Sequence, residues 1–222
     1  MKKKEIVLFW SGGKDSALTL WELQNNPKYY IKSLLTTIDE QTNTVPFHGV
    51  DESLIKEQAK LIGIPIHRVY LPHNCSNQQY NAQLGKIFSL YQKKGITTFA
   101  FGDIFLQDIK DYREQQLKQF GCNALFPLWG KSTTELQQIF FDNNFRTIIT
   151  SINKDLLPSQ LLGKELSRKI INTLPEQIDQ FGEKGELHTL VIFAPYFKFR
   201  LQTSFATTVI DGPYEVTQLR RP

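Results

Sequence analysis

Six consecutive residues, Ser11-Gly12-Gly13-Lys14-Asp15-Ser16, combine two adjacent glycines with a cation, a carboxylate and two hydroxyls. Glycines let a backbone turn tightly and approach a ligand closely, and the first N–H groups of a helix point outward without partners of their own. A phosphate would be held there by backbone amides, by the hydroxyls of Ser11 and Ser16 and by the Lys14 ammonium. Asp15 would repel that phosphate unless a Mg2+ ion stood between them, which makes it a candidate metal ligand. A capped helix after a tight turn would explain the glycines and serines but not Lys14. A second chemically loaded stretch lies far downstream, where Asp179 to Thr189 sets Glu183, Glu186 and His188 around Gly182 and Gly185. Two carboxylates and an imidazole in a bent loop have the means to take and give protons. A polar turn ahead of a strand has the same composition, and the pattern alone does not choose.

The elements around the first stretch decide its reading. Ile6-Val7-Leu8-Phe9-Trp10 is too short for a helix and rich in β-branched and aromatic residues, which predicts a buried strand. The apolar spacing from Ala17 to Leu23 predicts a helix that opens inside the loop. Strand, glycine turn, cation and helix start therefore coincide as phosphate binding requires. Gly130-Lys131-Ser132 ends like a Walker loop, but position 125 is Leu125 where that loop needs glycine, and no GxGxxG follows a strand.

Further strands are expected over Tyr29 to Thr37, His67 to Leu71 and Thr97 to Phe101, with helices over 50–62, 76–94 and a third ending at Gly121. Asn123 to Trp129 closes the first half. Gly102-Asp103-Ile104 stands at a strand end, the edge where open α/β sheets bind ligands, although Asp103 could equally cap the next helix. After residue 129 the pattern predicts a helix over 133–143, a strand over 146–151, a helix running through Ile171, and a strand over 190–193. Two antiparallel strands follow, over 197–204 and 205–210, with a turn at Asp211-Gly212-Pro213. The fold class is α/β: a doubly wound parallel sheet from residues 1–128, with a smaller α/β part over 129–222. No Ser/Gly linker separates the two parts.

The chain has 222 residues, 41% hydrophobic and 22% charged, with a formal net charge of +4, which excludes a disordered chain and gives no sign of a membrane span. The charge is small and spread over both halves, which argues against nucleic acid. Lys2-Lys3-Lys4 precedes an apolar run too short for a signal peptide, so a cytoplasmic protein is expected. Cys75 and Cys122 form no CxxC pair and read as plain reduced thiols, which counts against sulfur transfer. His67 and His73 lack metal-ligand spacing and read as structural. His48, in Phe47-His48-Gly49, is either a packing residue or a ligand.

Ser11 to Ser16 resembles the PP-loop signature of the ATP pyrophosphatase superfamily. Phe47-His48-Gly49-Val50, Gly102-Asp103-Ile104, Pro127-Leu128-Trp129 and Gly182-Glu183-Lys184-Gly185-Glu186-Leu187-His188-Thr189 narrow the resemblance to the diphthine ammonia ligase family, over nearly the whole chain. The resemblance implies cleavage of ATP between its α and β phosphates, adenylation of a carboxylate, and transfer of ammonia. It implies that Ser11, Gly12, Gly13, Lys14, Asp15 and Ser16 hold the phosphates, and that Thr36, Thr37, Gly102 and Asp103 complete the nucleotide site. Asp15 and Asp103 would hold Mg2+. Lys14, Asp15, Glu183, Glu186 and His188 would be catalytic, the last three facing the acceptor carboxylate or the incoming ammonia. Leu187 departs from the family, where an aromatic is usual. His48, Arg113 and Trp129 are brought near the site without a role.

The acceptor implied is diphthine on elongation factor 2 where diphthamide is made, and otherwise an unidentified carboxylate. Ammonium or a partner supplies the nitrogen, since no glutaminase segment is evident, and a homodimer is left open. Two other readings stand: a PP-loop enzyme adenylating a small metabolite or tRNA, and an ATP-binding protein without turnover.

Overall fold

A computed structural model describes residues 2–222. In chain order the first half runs β1 (Lys4–Phe9), α1 (Lys14–Gln24), β2 (Tyr29–Asp39), β3 (Thr44–Val45), β4 (Val50–Asp51), α2 (Glu52–Ile62), β5 (Ile66–Leu71), α3 (Asn77–Lys93), β6 (Thr98–Ala100), α4 (Gln107–Lys118) and β7 (Asn123–Leu125). The second half holds α5 (Thr133–Asp142), β8 (Arg146–Asn153), α6 (Arg168–Ile171), β9 (Leu187–Phe193), β10 (Ser204–Asp211) and β11 (Tyr214–Arg220).

The first sheet is parallel in the order β5-β2-β1-β6-β7, the expected α/β arrangement. Alternation along the strands explains its two covered faces, because successive side chains point to opposite sides. Ile6 and Leu8 of β1 pack with Leu18 and Leu20 of α1 and Leu54 and Ile55 of α2. Val7 packs on the other face with Leu84 and Phe88 of α3 and Leu117 of α4. Each such side chain, fully buried, contributes about 1.5–3 kcal/mol.

The second sheet, in the order β3-β4-β11-β8-β9 with β10 paired to β11 off that path, takes two strands from the first half of the chain. Val50 pairs with Leu219, so α2 starts at Glu52 rather than at Val50 as its apolar spacing predicts. α1 touches β9 and α2 touches β11, which puts both helices between the sheets and joins Ile149, Ile152, Leu190 and Phe140 to the β1 core. Two expectations shift. The helix expected after Gly163 and through Ile171 is a single turn, α6, because Glu165 bridges to Ile148 and Ser167 caps the helix only at Arg168; a 3-10 turn at Ser159–Leu161 precedes it. The last two strands lie later than their alternation suggests; their expected turn at Asp211-Gly212-Pro213 is there, while 197–203 is irregular. Among the described residues, no helix is long and apolar enough to cross a membrane.

Candidate active site

β1 lies where the strand order reverses, with β2 on one side and β6 on the other, and the residues after it occupy the crevice where such sheets bind ligands. The helix that opens there is unlike most of its neighbours. Asp51, Ser76, Ser132 and Ser167 cap α2, α3, α5 and α6 with side-chain oxygens, whereas α1 starts at Gly13 with no side-chain cap. Neither Asp15 nor Ser16 is the N-cap, so the simple capped-turn reading does not hold. Gly12 sits at φ +83, and a Cβ on it would fall 2.7 Å from both Gln58 Oε1 and Ile55 Cδ1. Gln58, fully buried, donates to the carbonyls of Gly12 (3.0 Å) and Val191 (2.7 Å) and accepts from the Trp10 indole (2.9 Å). The Val191 amide also donates to the Gly12 carbonyl, at 2.8 Å. Within the loop, the Ser16 hydroxyl donates to the Gly13 carbonyl at 2.9 Å, and Ser11 Oγ accepts from the Gly13 amide at 3.3 Å.

Lys14 joins this loop to the acidic stretch. Its backbone amide donates to Thr189 Oγ1 (3.1 Å), and its Nζ lies 2.6 Å from Asp15 Oδ1 and 2.7 Å from Glu183 Oε1, over the Phe181 ring at 4.5 Å. The side chain is 2% exposed. Burial alone would push its pKa down, but the charges of Asp15 and Glu183 outweigh that and hold it above its ordinary value. Burial raises the Glu183 carboxyl, with repulsion from Asp15 in the same sense and the Lys14 charge opposing both. Removing one member of such a buried pair costs about 3–5 kcal/mol, because the other charge is left uncompensated.

The remaining groups of the acidic stretch divide. Glu186, buried, accepts from the Asp179 amide (2.8 Å) and the Lys184 amide (2.9 Å), so both its oxygens hold the loop. Asp179 does the same for Phe181 (2.8 Å) and Glu183 (3.3 Å) and accepts from the Thr133 hydroxyl (2.8 Å). Gly182 at φ +78 leaves the space that Leu187 fills, which gives that aliphatic residue a packing role. His188 lies at the start of β9 with its ring centroid 4.7 Å from His48 and 5.5 Å from Tyr214. Burial lowers the pKa of both histidines, His48 to about 4.

The expected nucleotide contacts surround the same crevice. Thr36 is buried near the end of β2 with its hydroxyl unpartnered, followed by half-buried Thr37. Gly102 abuts the Asp15 backbone, 3.1 Å from where its own Cβ would be. Asp103 does not cap α4; it accepts from Arg113 Nε at 2.8 Å, and Arg113 lies over Phe101 at 4.5 Å. Lys110 lies over Trp129 at 4.8 Å. Each carboxylate expected to hold Mg2+ is thus bonded to a cation: Asp15 to Lys14, Asp103 to Arg113. Among the described residues no cluster of three or more His, Cys, Asp and Glu side chains could hold a metal ion. His73 pairs with Asp39 at 2.8 Å, and Cys75 and Cys122 are free.

Gln58, Asp179 and Thr189 are site residues that motif reading does not single out. Gln58 carries a signal, being polar on the helix stripe set by Leu54, Ile55 and Ala59.

The family model of the diphthamide synthase N-terminal domain matches residues 3–124, and that of its C-terminal domain matches residues 132–219. The chain belongs to the diphthamide synthase family. Membership of these PP-loop, ATP-using ligases accounts for the coincidence of the uncapped α1, Lys14 and the acidic loop in one crevice. No curated protein matches the sequence. Among solved structures, a predicted subunit of tRNA methyltransferase from Methanocaldococcus jannaschii matches at 17% identity with a TM-score of 0.44. That match covers 64% of this family member and 77% of the other chain, a likeness too loose to argue from.

Proposed function

We propose that the protein adenylates a substrate carboxylate with ATP, releases pyrophosphate and transfers ammonia to the activated carbon, with diphthine on elongation factor 2 as acceptor. The observation that carries this reading is the 2.7 Å contact of Lys14 with Glu183, which ties a phosphate-type loop to an acidic loop 169 residues away. The second acidic loop, placed against the phosphate-type loop, speaks against an ATP-binding protein without turnover.

A carboxylate is inert towards amines until an oxygen is made a leaving group, which is what adenylation achieves. The amides at the start of α1 other than that of Lys14, which donates to Thr189 Oγ1, and the Lys14 ammonium suit the charge that grows on departing pyrophosphate. The donors fit a nucleotide: Thr36 offers a buried hydroxyl without a partner, and Gly12 and Gly13 keep the loop free of side chains. Asp15 and Asp103 would hold Mg2+, which takes oxygen ligands and would offset phosphate charge. Residues 1–128 would supply the nucleotide side and 129–222 the acceptor side, with Glu186 and Asp179 positioning Glu183.

With α-labelled ATP, Mg2+ and ammonium chloride, AMP is expected only when diphthine-bearing elongation factor 2 is added. AMP without the factor would keep the adenylation and reject this acceptor. ADP, or no product, would reject the adenylation itself.

A further inference from the structure

The carboxylates of the acidic loop are engaged. Glu183 is bonded to Lys14, and both oxygens of Glu186 accept loop amides. Two imidazoles remain beside them, His188 and, in the segment between β3 and β4, His48. The placement of His48 is over-determined. Phe47 before it holds φ +64, a region that non-glycine residues avoid, and Gly49 after it has the same φ with Val216 Cγ1 only 2.1 Å from its missing Cβ. Backbone strain of this kind persists only where the surrounding structure enforces it, and it clusters at functional sites. The ring lies against the phosphate loop, its Cε1 3.2 Å from where a Cβ on Gly13 would be. Nδ1 is 3.4 Å from the Thr189 carbonyl, which can only accept; the tautomer that uses this contact carries its hydrogen on Nδ1 and keeps the lone pair on Nε2.

We infer that His48 is a further catalytic residue, taking at Nε2 the proton shed by the nitrogen that attacks the activated carboxyl carbon. The inference rests on the ligase reading above. The lone pair of ammonia forms the C–N bond while the carbonyl π pair moves to oxygen. The resulting ammonium gives one proton to Nε2. The oxygen pair then re-forms C=O as the C–O bond to AMP breaks, its electrons leaving on the phosphate oxygen, and the imidazolium releases its proton to water. Burial keeps the ring neutral, the Asp15 charge favours the imidazolium, and Lys14 opposes it; His188, itself against Tyr214, is the neighbouring titratable group.

His48→Asn tests this, because its amide can still donate to the Thr189 carbonyl while Nε2 is lost; His48→Gln is the second variant should the first not fold. The assay contains ATP, Mg2+ and diphthine-bearing elongation factor 2. Exchange of labelled pyrophosphate into ATP reads adenylation alone. Amide formation from ammonium at neutral pH is expected to fall about 100-fold more than this exchange. Hydroxylamine, whose attacking nitrogen sheds its proton more readily, should recover most of that difference. Equal losses in exchange and amide formation, equal losses with both nucleophiles, or no loss would overturn the inference and leave the ligase reading intact. No exchange by the unsubstituted protein would overturn both.

Discussion

The phosphate loop and the acidic loop meet at Lys14 and are built in opposite ways. Residues 11–16 take their shape from backbone, with Gly12 at φ +83 and a helix left uncapped, while supports come from outside in Gln58 and Thr189. Residues 179–189 take theirs from their own carboxylates, Asp179 and Glu186 between them accepting four amides of the same loop. The polar groups of the glycine-framed loop are bonded within the loop or to Thr189 and Glu183, so its shape does not depend on a carboxylate frame of its own. A loop framed by carboxylates uses them on itself, and of its carboxylates Glu183 reaches across to the phosphate loop, beside the Thr189 hydroxyl. Two glutamates three positions apart in one motif therefore have different work.

That contrast is open to attack. Lys14→Ala should have the largest effect, lowering AMP release about 1000-fold, as loss of a key oxyanion donor does; labelled ATP would measure it. Glu186→Ala should act on stability first. It strands the amides of Asp179 and Lys184 at about 1–3 kcal/mol each, so urea unfolding should show a loss of about 2–6 kcal/mol with ATP binding retained. An unchanged midpoint would erase the distinction between the loops. Gly12→Ala should cost about 1–3 kcal/mol by the same measurement, since the new Cβ meets Gln58 and Ile55 in a strained conformation.

The smallest effect is one of pH. His48 and His188 have pKa values below the ordinary 6.5 in the folded protein, so the unfolded chain binds protons more readily. Their contribution to stability is present above about pH 6.5 and is lost as pH falls, levelling for His48 below about 4. Thermal melts of the protein and of His48→Asn between those limits would measure it, with the variant the less pH-dependent of the two.

Four strands around the phosphate loop, β1, β2, β5 and β6, were legible because each carries β-branched or aromatic residues, and at β1 and β6 glycine follows the strand end; β7, three residues long, was not. What else could not be read was long-range. Val50 looks like the first turn of α2 until Leu219 pairs with it, and the separation of Glu183 from Glu186 depends on which amides fold back onto them. His48 was visible as a histidine in a loop that the family resemblance brought near the site without a role. Its significance comes from Gly13, Thr189 and His188, which are distant in sequence and adjacent in space.

The central claim is that the two loops act as one unit through Lys14 and Glu183. A double-mutant cycle of Lys14→Ala and Glu183→Gln on acceptor-dependent AMP formation tests it most directly. The account predicts strong non-additivity, with the double variant little worse than Lys14→Ala alone. Losses that simply multiply would show two independent sites and contradict it.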